Sequence, residues 1–211
     1  MNRDPGSSDE LLHRAGVGDP DALAELFSRH RDQLRRMVRL RLDRRLQGRV
    51  DPSDVLQEAQ LEVFRRAAEY ASDPRLPPFL WLRLITGQRL SALHRRHLGA
   101  QKRSAGQEIA LHRGPMPQAT SVSLAEMLLG RLTSPTQAAQ RAEVRILLQE
   151  ALNGMDPIDR EVLTLRHFEE LTNAEVAQVL GLTKTAASNR YIRALERLRE
   201  ILASVPGLLA P

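Results

Sequence analysis

The sequence predicts an all-α protein of two small helical domains joined by a flexible linker. Apolar residues recur at three- and four-residue spacings along most of the 211-residue chain, and no stretch shows the alternation of a half-buried strand. Between Gly99 and about Ser134 this periodicity fades into Gly, Pro, Ser and Gln, which separates the two halves. Aspartate followed by proline, a pair that caps and begins helices, occurs at Asp19-Pro20, Asp51-Pro52 and Asp156-Pro157.

The composition is that of a folded protein with an anionic partner. Hydrophobic residues make up 42% of the chain and charged residues 27%, and the formal net charge is +5. A basic chain favours nucleic acid or an anionic membrane as its partner, although an arginine-rich composition is also typical of a GC-rich genome. The absence of cysteine excludes disulfides, thiolate zinc sites and cysteine nucleophiles. Because neither a signal peptide nor a membrane span is visible, we expect a cytoplasmic protein without membrane insertion.

The first domain is predicted to cover residues 8–98. Long helices begin at Asp19-Pro20 and Asp51-Pro52, and the proline-rich segment Asp73–Pro78 ends the second of them, because proline removes a backbone donor. A further helix is predicted from about Phe79 to His97. The helix that begins at Asp51 has an apolar face of Val55, Leu56, Ala59, Val63, Phe64 and Ala67.

The linker is predicted to span residues 99–134, within which only Leu124–Leu132 has one or two turns of helical pattern. The second domain, residues 135–204, begins with a helix that starts at Ser134-Pro135 and stops at Gly154, a residue suited to a left-handed cap. Three shorter helices complete this domain, and the first of them begins at Asp156-Pro157.

The last two helices have the pattern of a helix-turn-helix. Thr172 and Glu175 form a capping box, Gly181 suits a left-handed turn, and Thr183 caps a longer basic helix. The second helix of such a motif enters the DNA major groove, although a helical hairpin with a solvated basic face stays a possible alternative. The predicted shared core is Val176, Val179, Leu180, Leu182, Ala187, Tyr191 and Leu195. The residues outside it that can contact bases and phosphates are Lys184, Thr185, Ser188, Asn189, Ile192, Arg193 and Arg197.

The first domain contains a basic stretch that follows an acidic one. From Pro74 to Gln107, around Trp81, there is no Asp or Glu, which fits nucleic-acid contact or a merely solvated face. The seven basic residues of this stretch are Arg75, Arg83, Arg89, Arg95, Arg96, Lys102 and Arg103.

Upstream of that stretch, Asp54, Gln57 and Glu58 share one helical face. Paired carboxylates can serve acid/base chemistry or a metal, but no phosphate loop, nucleophile motif or second ligand cluster accompanies them. An acidic face for a basic protein partner, or a solvated face, fits better. His94 and His97 are spaced for a metal but lie among arginines without a nearby carboxylate, so no metal site is predicted.

Two of these motifs resemble the extracytoplasmic-function group of the sigma-70 family of bacterial RNA polymerase sigma factors. The segment DVLQE, Asp54–Glu58, is similar to the family's helix that docks on the coiled coil of the polymerase β′ subunit. The segment Leu171–Glu200 is similar to its C-terminal helix-turn-helix, and the resemblance extends from Asp9 to Leu202. The resemblance implies a two-domain sigma factor that recruits core RNA polymerase to promoter DNA.

The resemblance also implies roles for individual residues. Asp54, Gln57 and Glu58 would bind core polymerase, and the loop Ala71–Pro78 with the helix after it would recognise and open the minus-ten element. The minus-ten candidates are Arg75, Trp81, Arg83, Arg89, Arg95 and Arg96. In the second domain the candidates that meet minus-thirty-five bases are Ser188, Asn189, Ile192 and Arg193, with Thr185 beside them, and those for phosphate are Lys184, Arg190 and Arg197.

The family mechanism implies no cofactor and no enzymatic activity in this subunit, and an anti-sigma factor is a common partner in the family. The alternative function is a stand-alone helix-turn-helix regulator that binds an operator without polymerase. An enzyme acting on nucleic acid is a third class, but the sequence has no recognisable catalytic constellation for it.

Overall fold

The computed structural model describes residues 7–98, 110–111, 114–132 and 138–204. The chain divides into two compact units, Met1–Pro117 and Gln118–Pro211, here called the first and second units. Helices dominate both units, which confirms the predicted all-α class. No helix in these described ranges has the length and apolar character needed to cross a membrane.

In its described residues, the first unit has four α-helices and a short antiparallel pair of strands. Helix α1 packs on α2 and α3, and α3 also packs along α4. The two-residue strands β1 and β2 pair Ala110 with Pro115 and Leu111 with Gly114. The helices are α1 (Ser8–Gly16), α2 (Pro20–Arg41), α3 (Pro52–Ser72) and α4 (Pro78–Leu98), with a 3-10 turn at Arg44–Leu46; the strands are β1 (Ala110–Leu111) and β2 (Gly114–Pro115).

Aspartate side chains begin α2 and α3, as the sequence predicts. The carboxylate of Asp19 accepts hydrogen bonds from the backbone N–H groups of Asp21 and Ala22, both at 3.0 Å. The carboxylate of Asp51 accepts one from the N–H of Ser53 at 2.7 Å. Each of these three bonds satisfies a backbone donor that has no partner within the helix. The bonds also lower the pKa of the Asp19 carboxyl and of the Asp51 carboxyl.

Helix α4 runs through the core of the first unit and is buried on almost every side. Its fully buried residues include Leu82, Ile85 and Leu90, and the hydroxyl of Thr86 donates to the carbonyl of Leu82 at 2.8 Å. Gly87 lies directly under the side chain of Met116, so a Cβ at position 87 would collide with it. The glycine therefore allows the segment after β2 to pack closely against α4.

The second unit has five α-helices between residues 118 and 204, leaving aside residues 133–137, which the structure does not describe. Helix α5 packs on α6, and α9 packs on α6, α7 and α8. A π-helical turn of five residues continues α7 before the chain reaches the helix-turn-helix. The helices are α5 (Ser121–Leu132), α6 (Ala138–Asn153), α7 (Pro157–Leu163), α8 (Asn173–Leu180) and α9 (Lys184–Ser204), and the π-helical turn is Thr164–Phe168.

Helix α5 lies within the segment that the sequence assigns to the linker, and it belongs to the second unit. Leu124 and Leu128 of α5 are buried. The guanidinium of Arg160 donates to the hydroxyl of Ser121 and to the carbonyl of Leu152, both at 3.0 Å, and burial lowers the pKa of Arg160. This helix extends the second unit toward the N-terminus because its apolar face finds a partner in α6.

The boundaries of α6 differ in part from the expectation. The predicted start at Ser134-Pro135 lies outside the described residues. Helix α6 ends at Asn153, but Gly154 does not adopt the predicted left-handed conformation. Its N–H donates to the carbonyl of Glu150 at 3.2 Å, so the helix closes through its own hydrogen bonds and needs no left-handed residue.

Candidate nucleic-acid and protein interfaces

One face of α3 combines acidic, amide and large apolar side chains. Asp54 and Gln57 are exposed and Glu58 is half-buried, so the structure places the three predicted polymerase contacts together. One and two turns further along lie Leu61 and Phe64, which are 62% and 56% exposed. Exposed residues of this size on one helical face are typical of a protein-binding surface.

The exposure of Phe64 corrects the predicted apolar face of α3. Val63 is fully buried, and each step along a helix turns by about 100°. Phe64 therefore points away from the core that Val63 enters. The sequence analysis assigned both residues to one apolar face and so did not predict that Phe64 is exposed. The exposure of Leu61 and Phe64 could have been predicted only by assigning each apolar residue of α3 its own direction around the helix axis.

Carboxylates of α3 form ion pairs with arginines of α4. Glu62 contacts Arg89 at 3.2 Å, between Oε2 and Nη2, and Arg66 at 2.8 Å, between Oε1 and Nε. Glu58 contacts Arg96 at 3.7 Å between Oε1 and Nη1. The acidic and basic stretches of the sequence therefore neutralise each other across this helix pair.

The six predicted minus-ten residues occupy very different environments. Arg83 is 2% exposed and Trp81 is 7% exposed, so both lie in the core of the first unit and not on its surface. Only the C-terminal end of α4 is exposed, and it presents Arg95 and Arg96. A stretch without acidic residues suggests a basic surface. Because α4 is apolar around most of its circumference, however, the middle of this helix is buried. Lys102 and Arg103 lie outside the described residues.

A cavity of about 400 Å³ opens where the loop after α3 meets the start of α4. The rings of Tyr70 and Trp81 stack with centroids 4.3 Å apart, and the Tyr70 hydroxyl donates to the carbonyl of Leu76. Burial, with the nearby charge of Asp9, raises the pKa of Tyr70 to about 12. The lining consists of Arg66, Glu69, Tyr70, Ser72, Asp73, Arg75, Leu76, Trp81 and Leu84.

This cavity has an apolar aromatic wall and a charged rim. Arg75 and Asp73 form an ion pair at the exposed edge, and Arg66 and Glu69 add further charge. A concave site of this size with a few polar groups suits a small planar group such as a base. Of the predicted minus-ten residues, the structure brings Arg75 and Trp81 together here.

The helix-turn-helix is held by its caps and by contacts between its helices. The capping box of Thr172 and Glu175 is present, and Gly181 adopts a φ of 64° between α8 and α9. The side chain of Asn173 donates to the carbonyl of Lys184 at 2.9 Å, and the Thr183 hydroxyl accepts from the N–H of Ala186 at 3.1 Å. These bonds confirm the predicted starts of both helices.

The exposed face of α9 presents the predicted base and phosphate contacts. Its core positions are Ala187, Ala194, Leu198 and Ile201, whereas Leu195, predicted to be in the core, is partly exposed, because Ala194 takes the inward direction. Ser188 is half-buried, and the exposed members of the set are Lys184, Thr185, Asn189, Ile192, Arg193 and Arg197.

Arg190 points back into the second unit. Its Nη1 contacts Oδ1 of Asp159 at 2.6 Å and Oδ1 of Asp156 at 3.5 Å, and the side chain is 25% exposed. Asp159 also lies 3.8 Å from Nη2 of Arg193. The sequence analysis did not single out Asp159, because no local pattern links α7 to a residue 31 positions away on α9.

His94 is engaged in a structural contact. Its Nε2 lies 3.2 Å from the backbone N–H of Asp43 and accepts a hydrogen bond from it, and burial lowers the pKa of His94. Across the part of the chain that the structure describes, no group of three or more His, Asp and Glu side chains could hold a metal ion.

Comparison with known proteins relates both units to transcription initiation. Residues 145–198 match the family model described as sigma-70, region 4. The chain is 27% identical over 204 residues to the ECF RNA polymerase sigma factor SigG of Mycobacterium tuberculosis, which covers 95% of this chain. It is 26% identical over 194 residues to the RNA polymerase sigma factor CarQ of Myxococcus xanthus, which covers 92%. Residues 145–198 thus match sigma-70 region 4, and over most of its length the chain is similar to RNA polymerase sigma factors of the extracytoplasmic-function group.

The length of this chain agrees with some of these relatives and not with others. It spans 55% of the length of SigG, about half, and 97% of the length of CarQ. In fold it is similar to the solved structure of CnrH in complex with the cytosolic domain of CnrY, with a TM-score of 0.56 and 22% identity. That likeness covers 94% of this chain and 99% of CnrH. Helix α5 and the start of α6 precede the region that the family model matches.

Proposed function

We propose that this protein is an ECF sigma factor that directs core RNA polymerase to specific promoters and assists the opening of the DNA strands at initiation. The observation that carries the proposal is that one chain has two different binding surfaces, one on each unit. The second unit has a helix-turn-helix with an exposed recognition face, and the first unit has the exposed acidic and apolar face of α3.

The proposed contact with core polymerase is the face of α3 that contains Asp54, Gln57 and Glu58. Leu61 and Phe64 extend this contact, because burying two large exposed side chains supplies the apolar core that a stable protein interface needs. The carboxylates at the start of this face favour a basic partner surface and thereby orient the contact.

The proposed minus-ten site is the cavity beside Tyr70 and Trp81. A base that leaves the stack of the opened strand can enter it, with the aromatic wall on one side and the charged rim available for hydrogen bonds. Arg75 lies at the rim, and Arg95 and Arg96 are exposed at the end of α4 to hold backbone phosphates. In this proposal Trp81 shapes the cavity, and the buried Arg83 makes no DNA contact.

The proposed minus-thirty-five site is the exposed face of α9. Asn189 and Arg193 have the amide and guanidinium groups that read base edges in the major groove, with Ser188 and Ile192 beside them. Lys184 and Arg197 flank these residues and can contact phosphates.

We further propose that this subunit is not itself an enzyme and that it uses no cofactor, since the proposed role is to bind and position DNA for the polymerase. The proposal also includes a regulatory protein that binds this sigma factor as CnrY binds CnrH.

Runoff transcription with purified core polymerase tests the proposal. The intact chain should give transcripts from its promoters, whose shared upstream sequence is found by mapping transcripts after overexpression. Asp54→Ala with Glu58→Ala, and separately Leu61→Ser with Phe64→Ser, should weaken binding to core while promoter DNA binding by α9 remains. Asn189→Ala or Arg193→Ala should weaken promoter binding by about 1–3 kcal/mol and leave core binding intact.

Glu25→Ala with Asp21→Ala, two exposed acids on α2, is the matched control for the α3 pair and should bind core as the native chain does. Operator binding without any complex with core polymerase would instead identify a stand-alone regulator and would refute the proposal.

A further inference from the structure

The positive charge of the chain is concentrated in one short segment of the first unit. Residues 29–51 contain nine arginines and three aspartates, a net charge of +6. The whole chain has a net charge of +5, so all the remaining residues together sum to −1. A basic region that exceeds the charge of the entire protein is the electrostatic feature typical of an anion-binding surface.

Four of these arginines form a continuous surface, here called the arginine surface: Arg31, Arg35, Arg39 and Arg49. The first three are spaced by four residues on α2 and therefore share one helical face, with about 6 Å of helix between neighbours. Arg49 follows in the turn that leads to Asp51. Hydrogen bonds from Ser53 lower the pKa of the Asp51 carboxyl most, and the nearby charges of Arg35 and Arg39 lower it further, so this turn lies near those two arginines of α2.

The charge of the arginine surface is only partly compensated. Arg31, Arg39 and Arg49 are exposed, and Arg31 and Arg49 form no ion pair with any side chain in the described ranges. The acids nearest in sequence are Asp32, which is itself exposed, Asp43, which pairs with Arg45, and Asp51. Helix α4 differs in this respect, since carboxylates of α3 pair with its arginines at positions 89 and 96.

The same surface lacks the features of a protein-binding site. Exposed large hydrophobic side chains occur at Leu61 and Phe64 on α3, but none of those in the described part of the chain lies between residues 20 and 51. The centre of a protein interface is depleted of charge and enriched in apolar and aromatic groups. A row of guanidinium groups without such a centre instead suits phosphate oxygens, with which arginine forms paired hydrogen bonds.

We infer that the arginine surface binds the phosphate backbone of nucleic acid. It gives the first unit a DNA-contact surface of its own, separate from the cavity proposed for the minus-ten base. Such contacts depend on charge and not on base sequence, so they hold the nucleic acid without selecting the promoter. The identification of this nucleic acid as promoter DNA rests on the proposed function. The inference that the arginine surface binds phosphate does not depend on that function.

The test measures binding of the full chain to two labelled oligonucleotides without promoter sequence, one single-stranded and one duplex, over a series of salt concentrations. If each arginine neutralises one phosphate, Arg31→Gln, Arg39→Gln and Arg49→Gln together should make the slope of log K against log salt shallower. The expected change is about 2 for the single strand and about 3 for the duplex. A change on one probe alone identifies the form of nucleic acid that is bound.

The matched control is Arg14→Gln, Arg29→Gln and Arg65→Gln, which removes the same charge from exposed arginines that pair with Asp19, Glu25 and Glu62. This control should retain the slope of the native chain. Arg31→Lys, Arg39→Lys and Arg49→Lys retain the charge and should also retain most of the slope. Because all three positions are exposed, the glutamine variant should unfold at the same temperature as the native chain.

An unchanged slope in the glutamine variant, or an equal change in the Arg14, Arg29 and Arg65 control, would overturn the inference. So would loss of core polymerase binding in the glutamine variant with DNA binding intact, because the surface would then be a protein contact. These assays use neither polymerase nor promoter. Failure of runoff transcription therefore counts against the proposed function alone, and failure of the salt series counts against the arginine surface alone.

Discussion

At the scale of single residues, one carboxylate organises the recognition helix. Asp159 lies on α7 and contacts Arg190 at 2.6 Å and Arg193 at 3.8 Å on α9. Arg190 is three-quarters buried by this arrangement, while Arg193 is 60% exposed and remains available for DNA. The ion pair with Asp159 therefore fixes how α9 packs on α7, and Arg190 positions the residues that we propose contact the DNA.

This arrangement predicts that Asp159→Asn and Arg190→Ala each weaken promoter binding, and that the double variant is little worse than either single one. The coupling energy should be about 0.5–3 kcal/mol, as for residues in contact. The salt dependence of binding should stay close to that of the native chain in both single variants. A direct phosphate contact by Arg190 would instead lower the salt slope by about 0.9 in the alanine variant, and Asp159→Asn would then strengthen binding.

His94 predicts a pH dependence of the first unit. Burial holds the pKa of His94 below its ordinary 6.5, with Asp43 opposing the shift and Arg45 adding to it. Below pH 6.5 the unfolded chain therefore takes up the proton more readily than the folded one, and stability falls as the pH falls. Urea unfolding followed by Trp81 fluorescence should show this loss on acidification from about pH 7.5 to about pH 5.5. The loss should be smaller in His94→Gln, and an equal loss would exclude His94 as its source.

Which side chains stay on the surface was predictable only where the helix was amphipathic. The exposed face of α9 follows from sequence because an apolar stripe marks its opposite side, and Lys184, Asn189 and Arg193 are exposed as expected. Arg83 and Trp81 could not be placed in this way. The helix that contains them is apolar in nearly every direction, and whether such a helix is covered depends on its neighbours in space.

At the scale of elements, side-chain caps mark the helix starts that the sequence predicts. The Thr172 hydroxyl accepts from the N–H of Glu175, and the Glu175 carboxylate accepts from the N–H of Thr172 at 2.7 Å. Such bonds are local and therefore readable from sequence. The ends of helices are harder to predict from sequence, because α6 closes at Gly154 through an ordinary helical hydrogen bond and not through a left-handed cap.

The capping box predicts that Thr172→Ala lowers the free energy of unfolding of the second unit by about 1 kcal/mol. Far-UV circular dichroism during urea unfolding should show the shift. The fluorescence of Trp81, which lies in the first unit and is the one tryptophan of the chain, should not change. Thr185→Ala, at an exposed position on α9, is the control and should leave both signals as in the native chain. A shift in Trp81 fluorescence would show that the two units unfold together.

At the scale of the whole molecule, the boundary between the units lies near residue 117 and not after residue 134. The predicted linker had the Gly, Pro and Ser content of a connecting segment, and the short apolar run at Leu124–Leu132 carried too little pattern to assign. What decides its structure is its packing against α6, the next helix along the chain, which the apolar run alone does not indicate. The two-domain layout was predictable from sequence, and the allocation of α5 was not.

This boundary predicts that a fragment of residues 118–211 is more stable than one of residues 135–211. The shorter fragment lacks α5, so it exposes the apolar surface of α6 and leaves buried Arg160 without its Ser121 partner. Thermal unfolding by circular dichroism should show a lower midpoint for the shorter fragment. In the longer fragment, Leu124→Ala should cost about 2–5 kcal/mol. Equal midpoints for the two fragments would show that α5 contributes nothing to the second unit.

The contact between Glu58 and Arg96 has a consequence for cooperativity. In the proposed complex with core polymerase, a cation of the polymerase that engages Glu58 draws it away from Arg96, whose guanidinium then attracts an anion more strongly. Thermodynamic linkage requires the reverse effect to be of the same size, so phosphate on Arg96 equally promotes the engagement of Glu58. Since both side chains are well exposed, this coupling is limited to about 1 kcal/mol, or about fivefold in either affinity.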